Sequence, residues 1–326
     1  MKPKISIGSL GGTISMTSEK KNQGVVPKLC AKDLIDLLPG IKDIASIDAQ
    51  SLFSLPSGHL KFEMLLEALR WAKIQVDSGA NGVILTQGTD TLEESAFFCD
   101  LFWDRPEPLI LMGAMRTPEA IGADGVRNLY SSILCALSPN SKNRGVMVVM
   151  NDMIHAPRWV RKSHSFALET FCSDGKDYGF IAEDRVGYFC LPLKRMTLPI
   201  PSSVSKKVFL WEQTLDGDVG VLDWVKSSMD ALVISGFGAG HISLQTRERL
   251  NEMIECMPVV IATRTTEGST AYKTYGYMGS EIDCIKQGAL MSGCLSAKKA
   301  RILLWAIVNN GLDMQCFQDY LDTMIF

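Results

Sequence analysis

Four places in this chain put side chains suited to acyl-transfer chemistry shortly after apolar runs: Thr13, Thr89 with Asp90, Arg116 with Asp124, and Lys162. A threonine hydroxyl is a weak nucleophile and attacks an amide carbonyl only with help in losing its proton. Thr13 follows Gly11-Gly12 and Thr89 follows Gly88. Backbone N–H groups in such glycine turns can stabilise the oxyanion of a tetrahedral intermediate. Lys162, Asp90 and Thr89 together could handle the protons. A lysine beside a carboxylate is held in its charged form, so it needs desolvation, or exchange through the Thr89 hydroxyl, to act as a base. Each residue alone has a plainer reading. Thr13 suits a turn, Asp90 could cap the helix that follows it, and Lys162 could be a solvated charge. Their recurrence at successive strand ends favours chemistry.

The elements that would position them alternate. Apolar runs predict strands at Ile5 to Ile7, Gly82 to Leu85, Pro108 to Met112 and Gly145 to Met150, with Ile44 to Phe53 extended. Helical spacing marks Cys30 to Leu38, Leu60 to Val76, Leu92 to Trp103 and Gly125 to Leu137. The polar segment Thr17 to Gly24 reads as an exposed loop, either a lid over Thr13 or plain surface. Alternation with short connections predicts an α/β fold with a doubly wound parallel sheet, whose ligands bind at the carboxyl ends of the strands. A Pro- and Ser-bearing stretch, Leu191 to Ser205, breaks the rhythm and reads as a linker. The division expected is an N-terminal catalytic domain over 1–190, a linker over 191–205 and a C-terminal α/β domain over 206–326. In the last, strands are expected at Val208 to Trp211, Ala231 to Ser235 and Pro258 to Ala262. Helices are expected at Leu244 to Cys256, Ala297 to Asn310 (Ser296 as N-cap, Gly311 as C-cap) and Cys316 to Met324.

Bulk properties narrow the classes. A chain of 326 residues suits two domains. A net charge of −3 gives no reason to expect nucleic acid or an anionic membrane as partner. No apolar run is long enough for a membrane span. Met1-Lys2-Pro3-Lys4 lacks the apolar core of a signal peptide. The nine cysteines are an odd number without CxxC spacing, which points to a reducing cytoplasm. The four histidines have no metal-ligand spacing, so neither metal nor cofactor is expected. Gly236-Phe237-Gly238-Ala239-Gly240-His241 is misspaced for a dinucleotide fingerprint. A close backbone approach or a subunit contact suits it better.

Taken as a set, the motifs resemble the bacterial-type L-asparaginase/glutaminase family. Gly11-Gly12-Thr13-Ile14-Ser15 is similar to its first active-site signature. Gln87-Gly88-Thr89-Asp90-Thr91-Leu92-Glu93-Glu94-Ser95 is similar to its second, HGTDT-x-EE-T/S. Gly113 to Arg116, Ala123 to Leu129, Val148 to Asp152 with Lys162, and Lys299 to Leu304 extend the likeness over essentially the whole chain. The resemblance implies hydrolysis of a side-chain amide through an acyl-threonine intermediate, without cofactor. It also implies a homotetramer of tight dimers with sites near the subunit interface. Thr13 would be the nucleophile, and Thr89, Asp90 and Lys162 the supporting group. Gly12, Ser57, Gly58, Gly88, Thr89 and Asp90 would line the substrate, with Ser57 at its carboxylate. His241 and Glu281 fall near positions the family uses at a neighbouring site.

The chain departs from that pattern at several points. The family's lid tyrosine is missing, since the first tyrosine is Tyr130. The glutamine usually beside the serine is Gly58, followed by His59. Gln87 replaces a histidine, and His241 an asparagine. The substrate expected is therefore L-asparagine or a related, larger amide. The alternative from another class is a catalytically weak amino-acid-binding regulatory protein.

Overall fold

The computed structural model describes residues 2–12, 16–18, 25–27, 38 and 40–324. Thr13, most of the expected lid and the Cys30 to Leu38 helix (Leu38 apart) lie outside the described residues. Contacts divide the chain into two compact units, Met1–Leu193 and Lys194–Phe326.

The strands of the first unit are β1 (Lys4–Gly11), β2 (Met16–Ser18), β3 (Val25–Pro27), β4 (Ser46–Leu55), β5 (Gly82–Thr86), β6 (Leu109–Met112), β7 (Val146–Met150), β8 (Met153–His155), β9 (Arg161–Lys162), β10 (Phe171–Cys172), β11 (Gly179–Ala182) and β12 (Arg185–Tyr188). Its helices are α1 (Ile41–Ile44), α2 (Phe62–Asp77), α3 (Leu92–Phe102) and α4 (Gly125–Leu137). Eight strands form one sheet in the order β12-β11-β8-β7-β6-β5-β1-β4. From β4 to β7 it is parallel; the β7–β8, β8–β11 and β11–β12 pairs are antiparallel. β5, β6 and β7 are buried at every position, as central strands covered on both faces must be. β4, at the edge, is largely exposed or half-buried. β1 pairs with β4 on one side and β5 on the other, so the chain reverses its direction of travel across the sheet there. Such a switch point leaves a crevice beyond the strand ends.

The segment from Met153 to Tyr188 holds five strands that the sequence reading does not foresee. They are two to four residues long, too short for a period to show. Asn151 and Asp152 both have positive φ, 50° and 62°, and join β7 to β8 in a tight hairpin. The polar segment after Thr13 is also more regular than expected, since β2 pairs antiparallel with β3.

The second unit carries a four-stranded parallel sheet, β13 (Val208–Glu212), β14 (Ala231–Gly236), β15 (Val259–Thr263) and β16 (Leu290–Met291), in that order. Its helices are α5 (Val221–Ser228), α6 (Leu244–Cys256), α7 (Glu281–Gln287), α8 (Ala297–Asn309) and α9 (Gln315–Asp322). Ser296 occupies the N-cap position of α8 but makes no side-chain capping bond, whereas Ser243 caps α6 by accepting the Thr246 N–H. Gly311, at φ 61°, takes the left-handed turn just beyond α8. Among the described residues, no helix is long and apolar enough to cross a membrane, and no group of three or more metal-type side chains is placed to hold an ion.

Candidate active site

Three neighbouring strands deliver their carboxyl ends to one place. β1 ends at Gly11-Gly12, β4 runs on through Pro56 to Ser57, and β5 runs on through Gln87 to Gly88. Gly12 has φ 91°, and a Cβ there would stand 2.0 Å from the Gly88 nitrogen. A Cβ on Gly88 would in turn meet the Ser57 Oγ at 2.8 Å. Side chains at these glycines would hold the turns apart; without them the backbones touch. β6 closes the wall, because a Cβ on Gly113 would lie 3.0 Å from Thr89 Cγ2. Thr13 follows directly on Gly12, and its own geometry is outside the described residues.

Thr89, Asp90 and Thr91 form a 3₁₀ turn that leads into α3. Asp90 does not cap α3 through its side chain. It accepts a 2.7 Å bond from Lys162 Nζ instead, and the same ammonium donates at 3.0 Å to Thr89 Oγ1. The lysine side chain is 15% exposed and the aspartate 79%, so the cation is the sheltered partner and the carboxylate faces water. Lys162 comes from the two-stranded ribbon β9–β10, and its backbone N–H donates at 2.7 Å to Glu93 Oε2. Thr91 Oγ1 donates to the Ser57 carbonyl at 3.1 Å, tying the serine turn to the threonine turn. Among the described residues, the buried Ser57 Oγ has no hydrogen-bond partner, so it can serve a ligand. Among the described residues, no atom lies within 4 Å of a Cβ placed on Gly58.

Arg116 and Asp124 do a different job. Asp124 accepts the Met115 and Arg116 backbone N–H groups at 2.9 Å, while Arg116 Nη1 donates to the Gly122 carbonyl at 3.0 Å. They brace the loop after β6.

His241 and Glu281 belong to the second unit and sit side by side there. His241 Nε2 lies 3.4 Å from Glu281 Oε2, and His241 Nδ1 lies 2.7 Å from the Tyr277 hydroxyl. Glu281 is 0% exposed, and its Oε1 accepts the Thr274 and Tyr275 N–H groups, each at 2.6 Å. Burial opposes its charge, but those two N–H groups and His241 outweigh burial and hold the carboxyl below its usual range. Tyr275 and Tyr277 pack edge-on to the imidazole, at centroid distances of 4.8 and 5.4 Å.

With this geometry in view, comparison with known proteins is decisive. The N-terminal asparaginase family model matches residues 4–189, and the glutaminase/asparaginase C-terminal domain model matches 207–321. The chain belongs to the asparaginase family. The L-asparaginase of Bacillus licheniformis is 30% identical over 311 residues, covering 93% of this chain and 95% of its own. L-asparaginase 2 of Escherichia coli (strain K12) is 30% identical over 326 residues, covering 97% and 92%. The crystal structure of a probable cytoplasmic L-asparaginase from Campylobacter jejuni superposes with a TM-score of 0.88 at 29% identity, covering 99% of this chain and all of that one. The two-domain asparaginase fold is therefore present, with a large mixed sheet before a smaller parallel one.

Within that family fold, the structure gathers Gly12, Ser57, Gly58, Gly88, Thr89, Asp90 and Lys162 in the first unit, and His241 with Glu281 in the second. Sequence reasoning missed Glu93 as a partner of Lys162, although it stands inside the quoted motif. It also missed Tyr277 as the partner of His241, for which the closely spaced Tyr272, Tyr275 and Tyr277 were the available signal.

Proposed function

We propose that this protein is an amidohydrolase of L-asparaginase type that converts L-asparagine to L-aspartate and ammonia through an acyl-threonine intermediate. The observation that carries the reading is the Lys162 ammonium held between Thr89 Oγ1 and Asp90 Oδ1, beside a wall where the Gly12 turn abuts Gly88. Thr13, next after Gly12, is the nucleophile. Its oxygen attacks the side-chain carbonyl, and turn N–H groups stabilise the oxyanion. The C–N bond then breaks, and the leaving nitrogen takes the proton the threonine gave up. Thr89 accepts a hydrogen bond from Lys162 and keeps its own proton to donate, so the pair can pass a proton to the leaving group and later take one from the attacking water. Water then cleaves the ester and restores the threonine. Asp90 receives the substrate's ammonium and Ser57 its carboxylate.

A second reading, favoured by the open space at Gly58, gives the same chemistry a larger amide. Work in a cytoplasm, as an oligomer with sites near subunit interfaces, completes the proposal. The described cysteines are all free, and Cys190, Cys256 and Cys294 are exposed, which suits a reducing compartment. Exposed Phe189, Leu191, Tyr277 and Met278 offer apolar contact surface.

The test is ammonia release by the purified protein from L-asparagine and from a panel of larger amides. Thr13→Ala is expected to abolish release while the melting temperature holds. Full turnover in that variant would remove the nucleophile. Stabilisation by asparagine without turnover in the native protein would favour the regulatory alternative.

A further inference from the structure

Lys162 is the centre of the proposed chemistry, yet it sits on one of the two shortest strands described in its unit. β9 is two residues long and belongs to a separate two-stranded ribbon, not to the eight-stranded sheet whose strand ends carry Gly12, Ser57 and Thr89. Within the ribbon, Lys162 is paired with Phe171 and Arg161 with Cys172, and the Arg161 guanidinium bonds Asp174 just beyond it. A ribbon this short sets no position for a side chain by itself. The Lys162 backbone N–H bonds to Glu93 Oε2 at 2.7 Å, on the first turn of α3. The 3₁₀ turn bearing Thr89 and Asp90 leads straight into that helix.

We infer that Glu93 is a positioning residue for the hydrolysis: its carboxylate locks the backbone of Lys162 to the helix that carries Thr89 and Asp90. The residue is 2% exposed, an unusual place for a carboxylate unless it holds something. Two features make it affordable there. An acidic side chain on the first turn of a helix is favoured by the helix dipole. A carboxylate accepting a backbone N–H forms a charge-assisted bond, shorter and stronger than a neutral one. The geometry makes a loop of contacts from Glu93 to the Lys162 N–H, along the side chain to Nζ, and back to Thr89 and Asp90 on the same helical start. The ammonium is thereby fixed at both ends of its residue. Glu93 does not touch the reacting atoms, and its effect runs through the placement of Nζ.

The inference rests on the proposed amidohydrolase activity, so its test has a readout that does not need turnover. Glu93→Gln keeps the reach and an acceptor oxygen. Glu93→Asp keeps the charge but is one methylene shorter, and Glu93→Ala removes both. In the full-length protein, the expected order of kcat is wild type, then Gln within roughly tenfold, then Asp and Ala down by about 10²-fold, with KM nearly unchanged; this is the loss typical of a reacting group misplaced by about 1 Å. In parallel, acetylation of the Lys162 amine by a succinimidyl ester, read by mass spectrometry, should run severalfold faster in the Asp and Ala variants. A reversed order, with Asp active and Gln impaired, overturns the inference in favour of charge alone. Equal losses with unchanged Lys162 labelling overturn it in favour of a merely structural carboxylate. If Glu93→Ala fails to fold, the Asp and Gln pair still decides. If wild type releases no ammonia from any amide, the functional reading fails while the labelling series still judges Glu93.

Discussion

The two units each contain a carboxylate joined to a nitrogen base and a hydroxyl, and they are built in opposite senses. In the first, Lys162 is sheltered, Asp90 is open to water, and the hydroxyl belongs to a small residue in a crowded backbone turn. In the second, Glu281 is wholly buried, His241 lies between, and the Tyr277 hydroxyl belongs to a residue that is 52% exposed. Asp90 leaves its lone pairs largely available, whereas Glu281 has committed one oxygen to two backbone N–H groups. The first arrangement keeps capacity for a substrate. The second organises its own loop and presents aromatic surface. A cluster of reactive side chains is thus read less by which residues it holds than by which of them faces water with acceptor oxygens open to a ligand.

The largest effect should fall on the first cluster and on rate alone. Lys162→Met is expected to lower kcat by about 10²–10⁴-fold, the range for loss of one acid–base group. It should leave the melting temperature within a few degrees, because the carboxylate it abandons is already solvated. A large loss of stability with modest loss of rate would make this cluster structural and erase the contrast.

How far these clusters could be read from the sequence follows from the same physics. Gly11-Gly12 was legible because a positive φ and touching backbones demand glycine, and Gly88-Thr89-Asp90 because its turn follows an apolar run that forms a wholly buried strand. Lys162 was legible as a residue but not as part of a strand, since two residues have no period. Asn151-Asp152 carried a tight-hairpin signal between two methionines and was read only as a strand end. Glu281 could not be read as buried. A glutamate in a polar stretch reads as surface, and its burial depends on N–H groups of Thr274 and Tyr275, which no side-chain pattern reveals. The departures at Gly58 and Gln87 were visible at once, but only coordinates show open space at the first and burial at the second.

Next in size is the join between the β1 and β5 ends. Gly12→Ala would push a methyl into the Gly88 backbone at a φ that L-residues avoid. It should cost about 3 kcal/mol or more, read by denaturant unfolding, and remove activity with it. An active and stable Gly12→Ala protein would mean the two turns do not need to touch.

The second cluster should respond in stability first. Glu281→Ala leaves the Thr274 and Tyr275 N–H groups without their acceptor, which should cost about 2–5 kcal/mol. Glu281→Gln keeps an acceptor and should cost less. Since the folded carboxyl is held below its usual value of 4.5, it binds protons less readily when folded than when unfolded. Its contribution is therefore complete above that value and is lost as pH falls below it. Melting curves of wild type and Glu281→Gln should converge on acidification below about 4.5. A gap that is constant with pH would show that shape, not charge, matters at this position.

The smallest effect is expected at Gly58, where it separates substrates. A Cβ there meets no atom of the described residues within 4 Å, and Gly58 is not among the positive-φ glycines, so Gly58→Ala should change stability by less than about 0.5 kcal/mol in either direction. The added group projects beside Ser57, into the space that a larger amide would use. If the enzyme takes such substrates, Gly58→Gln should raise KM for bulky amides severalfold while KM for L-asparagine holds or falls, because filling that space costs only the larger ligand. If both substrates respond alike, Gly58 is a neutral surface glycine, and the open space beside the serine is not part of the substrate's path.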